Sequence, residues 1–255
     1  MKPMNFKQAV ARQFNKAAKN YHQHADIQRV TANTLLDLGP GKAAHVLDVG
    51  CGPASTTTRL LPRSQRYIGV DIAPAMLSTA AADFPKLTWL NAEWEALPIA
   101  ENSIDWLFAN LSMQWVDDLK RAVAEAYRVV RPGGVVTVNT VVEGTFSSFI
   151  KSWNALDSLQ HTQAFHTAAS AQHEVGLLNW HSTDFILENH TQYFANVFDL
   201  MGSIKGVGAN YVRRPDNAGL MTRSRFQQLE NAFENYRTIQ GLPLEWSVLN
   251  IKLVK

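Results

Sequence analysis

Residues 45–53 read His-Val-Leu-Asp-Val-Gly-Cys-Gly-Pro, an apolar run that stops at an acid and then at two glycines one residue apart. This pattern predicts a buried parallel strand that leads into a tight turn and a helix. Gly50 and Gly52 permit positive φ angles, and because they have no Cβ they let a ligand approach the main chain. The stretch therefore predicts a nucleotide-binding turn.

An acidic residue ends the next apolar run. Asp71 follows residues 67–70, Tyr-Ile-Gly-Val, and lies about twenty residues beyond the glycine turn. An acid at this place accepts hydrogen bonds from both hydroxyls of a ribose. The two features together predict a cofactor that contains adenosine.

The turn also discriminates between adenosine cofactors. A dinucleotide fingerprint has three glycines, whereas Pro53-Ala54-Ser55-Thr56 follows Gly52 here and the third glycine is missing. Asp48 would repel a phosphate but suits a cationic group, such as the ammonium of an amino acid. S-adenosylmethionine carries an ammonium and no phosphate, so it is the predicted cofactor.

Composition narrows the class of protein. The 255 residues are 46% hydrophobic, enough for one large α/β domain over residues 1–255. The single cysteine, Cys51, excludes a disulfide framework and is expected to pack beside the cofactor. No apolar stretch reaches the length of a membrane span and no secretory signal is evident, so we expect a cytoplasmic protein without a membrane partner. The net charge of +2 gives no argument for a nucleic-acid partner.

Strand-like runs alternate with helix-like stretches, which predicts a doubly wound, mostly parallel α/β sheet. Strands are expected at residues 45–49, 66–71, 86–91, 104–109 and 134–140, with further sheet near 178–194 and 244–253. Around the cofactor-binding core of residues 45–140, we expect N-terminal helices in 1–40, an inserted cap with some sheet over the ligand edge in 143–222, and a C-terminal helix and edge strand in 223–255.

Ligands of such a sheet bind beyond the carboxyl ends of its strands. Glu93 follows the third strand and could accept the adenine amino group, and Trp94 could cover the ring. Residues 110–115, Asn-Leu-Ser-Met-Gln-Trp, follow the fourth strand, where a methyl acceptor must approach. No metal site is expected, because the spacing of five histidines matches no ligand template: His161, His166, His173, His181 and His190.

Residues 46–53, 69–77 and 127–134 resemble the motifs of class I S-adenosylmethionine-dependent methyltransferases. The resemblance covers residues 45–140 and implies a Rossmann-like sheet of seven strands. The cofactor-binding residues predicted from these motifs and from the strand ends are Asp48, Gly50, Cys51, Gly52, Asp71, Ile72, Met76, Glu93, Trp94 and Asn110. Ala54 departs from the pattern, since many relatives have glycine there.

Four further segments resemble one family of these enzymes, the malonyl-acyl-carrier-protein O-methyltransferases of biotin synthesis (BioC type): residues 21–29, 110–115, 204–209 and 220–224. This resemblance implies methylation of the free carboxylate of malonyl-acyl-carrier-protein, which allows fatty-acid synthesis to elongate the masked chain toward pimeloyl. Such a carboxylate is ionised at neutral pH, so no general base is expected.

The acceptor must instead be oriented. Lys205 and Arg223 are the candidate cations, Tyr21 could close over the sulfonium end, and Gln114 could position the acceptor. The acidic carrier protein is expected to dock on basic residues of the insertion and the helix after it: Arg213, Arg214, Arg223 and Arg225. A monomer is the default expectation.

Other functions remain open from sequence alone. A methyltransferase of a small quinone-like acceptor would need a base, for which His22 or His24 is available, and another carboxylate acceptor is possible. A non-catalytic regulator that binds S-adenosylmethionine would need no acceptor site. A nicotinamide-dependent dehydrogenase is disfavoured by the missing third glycine.

Overall fold

A computed structural model describes residues 6–207 and 221–255. Within these residues the strands form one seven-stranded sheet in the order β3-β2-β1-β4-β5-β7-β6. The first five strands in this order are parallel, and β7 pairs antiparallel with both β5 and β6. The strand bounds are Ala43–Val49 (β1), Ser64–Asp71 (β2), Thr88–Asn91 (β3), Ile104–Ala109 (β4), Val130–Val141 (β5), Ser182–Phe194 (β6) and Leu242–Val254 (β7).

Helices cover both faces of the sheet, as predicted for a doubly wound fold. Two one-turn 3₁₀ helices, Leu61–Arg63 and Met113–Trp115, accompany the α-helices. The α-helices are Phe6–Ala17 (α1), Tyr21–His24 (α2), Asp26–Leu38 (α3), Thr57–Leu60 (α4), Pro74–Asp83 (α5), Leu119–Val129 (α6), Ser147–Asn154 (α7), Ala168–Gly176 (α8), Val197–Gly206 (α9) and Arg223–Glu234 (α10). The mostly parallel α/β fold with N-terminal helices is thus confirmed.

The expected place of the C-terminal strand is wrong. We expected β7 at an edge, but it lies between β5 and β6, and β6 forms the edge. The reason is that β7 is apolar on both faces. Leu249 and Ile251 belong to the core cluster under α8, whereas Trp246 and Val248 pack on the opposite face with α7 and α10. Both faces are therefore covered, and β6 takes the exposed position, with Leu187 52% exposed.

The fifth strand is longer than expected. It was expected at residues 134–140, but β5 already begins at Val130 and directly follows α6. Gly133 has φ +75 and donates its N–H to the carbonyl of Lys255 at 2.7 Å. Gly133 therefore lies inside β5, where its N–H binds the residue directly after β7.

The insertion of residues 143–222 contains α7, α8, β6 and α9 in its described part. It contributes the edge strand as well as helices, which agrees with the expectation of a cap that includes some sheet. No helix of the described residues is long and apolar enough to cross a membrane.

Candidate active site

The glycine turn follows β1 and leads into α4. The N–H groups of Gly50 and Cys51 both donate to the carbonyl of Val70, at 2.7 and 3.0 Å. Gly50 has φ +76, and a Cβ on it would lie 2.2 Å from the Cβ of Ser112. Only glycine therefore allows the loop after β4 to pass this close to the turn.

The carboxylate of Asp71 stabilises the same turn. It accepts the N–H of Gly52 at 2.9 Å and the N–H of Ala73 at 2.8 Å. A carboxylate has about four acceptor positions, so it can still accept two hydroxyl donors. Burial raises the pKa of Asp71 to about 6, and the group remains mostly ionised at neutral pH. These properties fit a ribose.

A cavity of about 80 Å³ lies beside the turn. Eight of the ten predicted cofactor residues line it: Gly50, Gly52, Asp71, Ile72, Met76, Glu93, Trp94 and Asn110. The glycines and the ribose acceptor fit S-adenosylmethionine.

One wall of the cavity is helix α1, whose residues were not among those predicted for the site, although Tyr21 of the next helix was. Lys7, Val10 and Phe14 of α1 line the cavity. The ammonium of Lys7 binds Glu93 at 2.6 Å and Glu95 at 3.0 Å. Burial lowers the pKa of Lys7, but the two carboxylates outweigh it and raise the pKa above its usual value. Glu93, the expected adenine partner, thus holds α1 in place in this structure.

Asp48 and Cys51, the other two predicted cofactor residues, are not among the residues that line the cavity. Side chains alternate along a strand, and because Val49 faces the cavity Asp48 faces away. Its carboxylate is 2% exposed and accepts the hydroxyl of Tyr67 at 2.7 Å. Burial raises the pKa of Asp48 to about 7. The geometry therefore does not support the expected direct contact with an ammonium group.

The side chain of Cys51 is buried, as expected for a small packed residue. Burial raises the pKa of its thiol well above the usual value, and the nearby charges of Asp48 and Asp71 raise it further. A protonated thiol is a poor nucleophile, so the structure gives Cys51 no chemical role.

The loop after β4 forms the floor of the cavity. The indole N–H of Trp94 donates to the hydroxyl of Ser112 at 3.1 Å, and this hydroxyl donates to the carbonyl of Val49 at 2.8 Å. Asn110 donates to the carbonyl of Gln28 at 2.9 Å. Trp94 and Asn110 thus lie beyond the ends of β3 and β4, as expected. Their contacts with a ligand remain predictions.

A second, larger cavity of about 470 Å³ adjoins the first and shares Trp115 with it. We call it the acceptor chamber. Gln114 and Lys205 line it, as do eight aromatic residues besides His161: Trp115, Phe146, Phe149, Trp153, Phe165, Phe198, Phe226 and Trp246. Phe14 contacts the edge of the Trp115 ring, with 5.4 Å between ring centroids. The N-terminal segment thus covers the wall that both cavities share.

One wall of the acceptor chamber is polar. The imidazole of His161 stacks on Trp153 with 3.7 Å between centroids, and its Nε2 lies 2.8 Å from Asp157. Asp157 also binds the guanidinium of Arg225. Burial raises the pKa of Asp157, but the partners of this carboxyl outweigh burial and lower the pKa. This group was not predicted from the sequence, because Arg225 is distant in sequence from residues 153–161, which contain the other three members.

The structure separates the expected acceptor residues. Tyr21 lines the cofactor cavity, where burial and the charge of Asp71 raise its pKa and keep the phenol neutral. Gln114 and Lys205 line the acceptor chamber. Arg223 is exposed at the first turn of α10 and lines neither cavity, so the geometry does not support its expected contact with the acceptor.

The expected docking residues are only partly visible. Arg213 and Arg214 lie outside the described residues. Arg225 is held by Asp157, and Arg223 is exposed. Among the residues that the structure describes, no three His, Cys, Asp or Glu side chains come together as a metal site would require.

Comparisons with known proteins identify the family. Residues 47–138 match a family described as "Methyltransferase domain". The malonyl-[acyl-carrier protein] O-methyltransferase of Salmonella typhimurium is 34% identical over 89% of this chain and 90% of its own length. The biotin biosynthesis bifunctional protein BioHC of Cellvibrio japonicus is 31% identical over 98% of this chain, which matches 50% of that longer protein.

The fold is shared more widely. The N-methyltransferase NodS of Bradyrhizobium japonicum, solved with S-adenosyl-l-homocysteine, superimposes with a TM-score of 0.57 over 99% of both chains at 12% identity. This likeness confirms the Rossmann-like fold, and the closer relatives confirm the resemblance inferred from the motifs. The chain belongs to the malonyl-[acyl-carrier protein] O-methyltransferase family.

Proposed function

We propose that the protein transfers the methyl group of S-adenosylmethionine to the free carboxylate of a malonyl group carried by acyl carrier protein, a step of biotin synthesis. The observation that carries the proposal is the pair of adjoining cavities that share Trp115. One has the glycine turn and Asp71, and the other is large enough for an acyl thioester. Family membership supports the same reaction.

In this proposal the cofactor cavity binds the methyl donor. Asp71 accepts the two ribose hydroxyls, and the backbone at Gly50 and Gly52 lies against the ligand. Trp94 and Met76 supply apolar walls for the adenine. Tyr21 shares the cavity with Asp71, and its neutral phenol can donate a hydrogen bond near the methionine end.

The acceptor chamber binds the malonyl group and part of its thioester arm. Its volume of about 470 Å³ leaves room beside a malonyl group for part of the phosphopantetheine arm. Lys205 lines the chamber and is exposed, and it makes no ion pair with another described residue. It is the cation we assign to the acceptor.

Bound S-adenosylmethionine supplies an electrophilic methyl group on a sulfonium. One carboxylate oxygen forms a bond to this methyl carbon while the carbon–sulfur bond breaks and sulfur keeps the electron pair. The products are a neutral methyl ester and S-adenosylhomocysteine. No proton moves, so the chain's task is to hold oxygen, carbon and sulfur in line at about 3 Å and to exclude water. Trp115, between the two cavities, is placed to shape this line of approach.

The carrier protein would deliver its arm through the opening of the acceptor chamber. Phe198 and Met221 line the chamber and are 77% and 45% exposed, which gives the opening an apolar rim. Lys205 and Arg223 are exposed cations of the same region, and Arg213 and Arg214 lie between them in the sequence. Charge attraction to an acidic carrier would speed its encounter with this rim.

Methyl transfer with labelled S-adenosylmethionine tests the proposal. We expect malonyl-carrier protein to gain a base-labile methyl ester, and we expect carrier protein with an acetyl group, which has no free carboxylate, to gain none. Label that resists mild base, or equal labelling of the acetyl carrier, would contradict the acceptor assignment.

A small quinone-like acceptor is the second candidate, and the aromatic lining of the acceptor chamber favours it. It requires a base near the acceptor. His22 and His24, the bases suggested by the sequence, do not line either cavity. Methylation of a hydroxyquinone but not of malonyl-carrier protein would select this function.

A further inference from the structure

The loop after β4 contacts both cavities. Asn110, Leu111 and Ser112 line the cofactor cavity, Gln114 lines the acceptor chamber, and Trp115 lines both. Leu111 has φ +48, a left-handed conformation that residues other than glycine seldom adopt. A backbone of this kind persists only where its surroundings hold it in place.

A row of buried polar side chains provides this support from across the sheet. Oδ1 of Asn139 on β5 accepts the N–H of Leu111 at 2.6 Å, and Nδ2 donates to Asn110 at 3.0 Å and to Asn250 at 3.2 Å. Asn250 on β7 donates to Glu188 on β6 at 2.9 Å. Asn139 and Asn250 have no exposed surface. We call these residues, Asn110, Asn139, Asn250 and Glu188, the amide row.

Backbone groups fix the direction of every hydrogen bond in the amide row. The carbonyl of Gln28 must accept, so Asn110 turns its Nδ2 toward it and its Oδ1 toward Asn139. The N–H of Leu111 must donate, so Asn139 turns its Oδ1 toward it. Both amide hydrogens of Asn139 are then used, by Asn110 and Asn250. The position therefore requires one acceptor and two donors, which aspartate and leucine do not have.

The row also contacts the helix that covers this face. Thr31 of α3 donates to Oδ1 of Asn110 at 2.9 Å, and Thr34 of the same helix donates to Glu188 at 3.0 Å. Hydrogen bonds from β4, β5, β6, β7 and α3 thus meet in one connected network. A change at its centre leaves several buried groups without partners at once.

We propose that Asn139 is a positioning residue for methyl transfer: the amide row holds Asn110 and the left-handed backbone of Leu111 in the conformation that aligns cofactor and acceptor. Asn139 itself touches neither ligand. Transfer depends on alignment within a fraction of an ångström, so a shifted loop lowers the rate even where the fold survives. The inference deepens the proposed function and depends on it only for its kinetic readout.

The test compares two variants of the same strand and face. Asn139→Leu removes the centre of the amide row. Thr137→Val, two residues earlier, removes an equally buried acceptor that binds the indole N–H of Trp106 at 2.8 Å and touches no residue of the loop. Asn139→Leu loses three buried hydrogen bonds and Thr137→Val loses one, so the thermal midpoint should fall in both variants and further in Asn139→Leu.

Only Asn139→Leu should also affect the site. We expect about a tenfold rise in the Kd for S-adenosylhomocysteine and a fall of about tenfold or more in kcat at saturating substrates. Asn250→Leu, which removes the support behind Asn139, should give a smaller effect of about threefold and serves if Asn139→Leu does not fold. Thr137→Val should match the wild type in both quantities.

Values of Kd and kcat for Asn139→Leu, or for Asn250→Leu in its place, that lie within measurement error of those for Thr137→Val would overturn the inference. Calorimetry with S-adenosylhomocysteine needs no acceptor, so it judges the amide row alone. A wild-type protein that binds this ligand but forms no methyl ester would overturn the proposed function instead, and the comparison of Kd values would still decide the role of Asn139.

Discussion

The two cavities of the site are built in opposite ways. The cofactor cavity is small, lies at strand ends, and is bordered by polar groups whose partners are backbone N–H groups, as at Asp71. The acceptor chamber is almost six times larger and is lined mainly by aromatic side chains from helices and loops of the insertion. In the proposed function, the cofactor is bound at the strand ends of the sheet, and the acceptor is bound mainly by the inserted segment.

The difference extends to the energetic cost of each site. The cofactor turn buries two carboxyl groups, Asp48 and Asp71, and burial raises the pKa of both. It also has Ala54 at φ +67, a strained conformation for alanine. The acceptor chamber requires less burial of charged groups, but it leaves a large unfilled volume. The following changes alter one region while leaving the other intact.

The largest expected effect is on stability at the cofactor turn. The pKa of Asp48 is about 7 in the folded protein and lower in the unfolded chain, so its stabilising contribution is full below about pH 4 and is lost as pH rises to about 7. Asp48→Asn has no such group. Its free energy of unfolding should exceed that of the wild type at pH 8 by an amount on the order of 4 kcal/mol.

Urea unfolding of both proteins between pH 4 and pH 8 measures this difference. The gap should widen with rising pH and level off above about pH 7. Parallel pH profiles for wild type and Asp48→Asn would show that burial does not raise the pKa of this carboxyl.

Next in size is the effect of Asp71 on cofactor binding. Asp71→Asn turns an amide N–H toward the N–H of Gly52 or Ala73 and removes a charged acceptor, so the Kd for S-adenosylhomocysteine should rise about a hundredfold. In the wild type, the Kd should rise as pH falls below about 6, where Asp71 becomes protonated. Calorimetry at several pH values measures both effects, and a wild-type Kd that is constant down to pH 5 would contradict the role of Asp71.

Filling the acceptor chamber should affect only the acceptor. Gly202 of α9 lines the chamber, and Gly202→Leu would extend into its open space. We expect the KM for malonyl-carrier protein to rise about tenfold, a loss typical of a few misplaced methylene groups, while the Kd for S-adenosylhomocysteine stays unchanged.

Gly176→Leu is the matched control, because Gly176 is also helical with open space around it and lies outside the chamber. Replacing glycine by leucine should favour the helix by about 1 kcal/mol in both variants. Equal KM values for the two variants would remove the chamber from the acceptor site.

The smallest expected effect is relief of strain in the turn. Ala54→Gly removes the steric cost of a positive φ, offset in part by the greater freedom of the unfolded chain, and should stabilise the protein by about 0.5–1 kcal/mol. Ala82→Gly, on the exposed face of α5, should instead destabilise it by about 1 kcal/mol. Urea unfolding measures the change in stability of both variants. A destabilised Ala54→Gly would show that the positive φ of Ala54 is not strained.

The same difference between regions explains what the sequence could predict. The five parallel strands and the placing of Asp71, Glu93 and Asn110 at their ends follow from local pattern, since apolar runs, acids and glycines keep fixed spacings there. The direction of Asp48 was misjudged because it depends on the alternation set by Val49, which the motif does not reveal. The place of β7 was misjudged because a strand that is apolar on both faces pairs according to the whole sheet.

The rest of the site depends on contacts between segments that are distant in sequence. Lys7 meets Glu93, Phe14 meets Trp115, and Arg225 of α10 binds Asp157. No periodicity or motif encodes such pairs. Family resemblance suggested Lys205, Gln114 and Arg223, and the fold shows that the first two line the acceptor chamber and that Arg223 does not.

If the two cavities act as one site, a methyl group passes from the cofactor in one to a malonyl carboxylate in the other. The most direct measurement is the intact mass of malonyl-carrier protein after incubation with the protein and S-adenosylmethionine. We predict a mass gain of one methylene unit, matched one for one by S-adenosylhomocysteine and reversed by mild base. An unchanged carrier mass in the presence of a protein that binds S-adenosylhomocysteine would contradict the account.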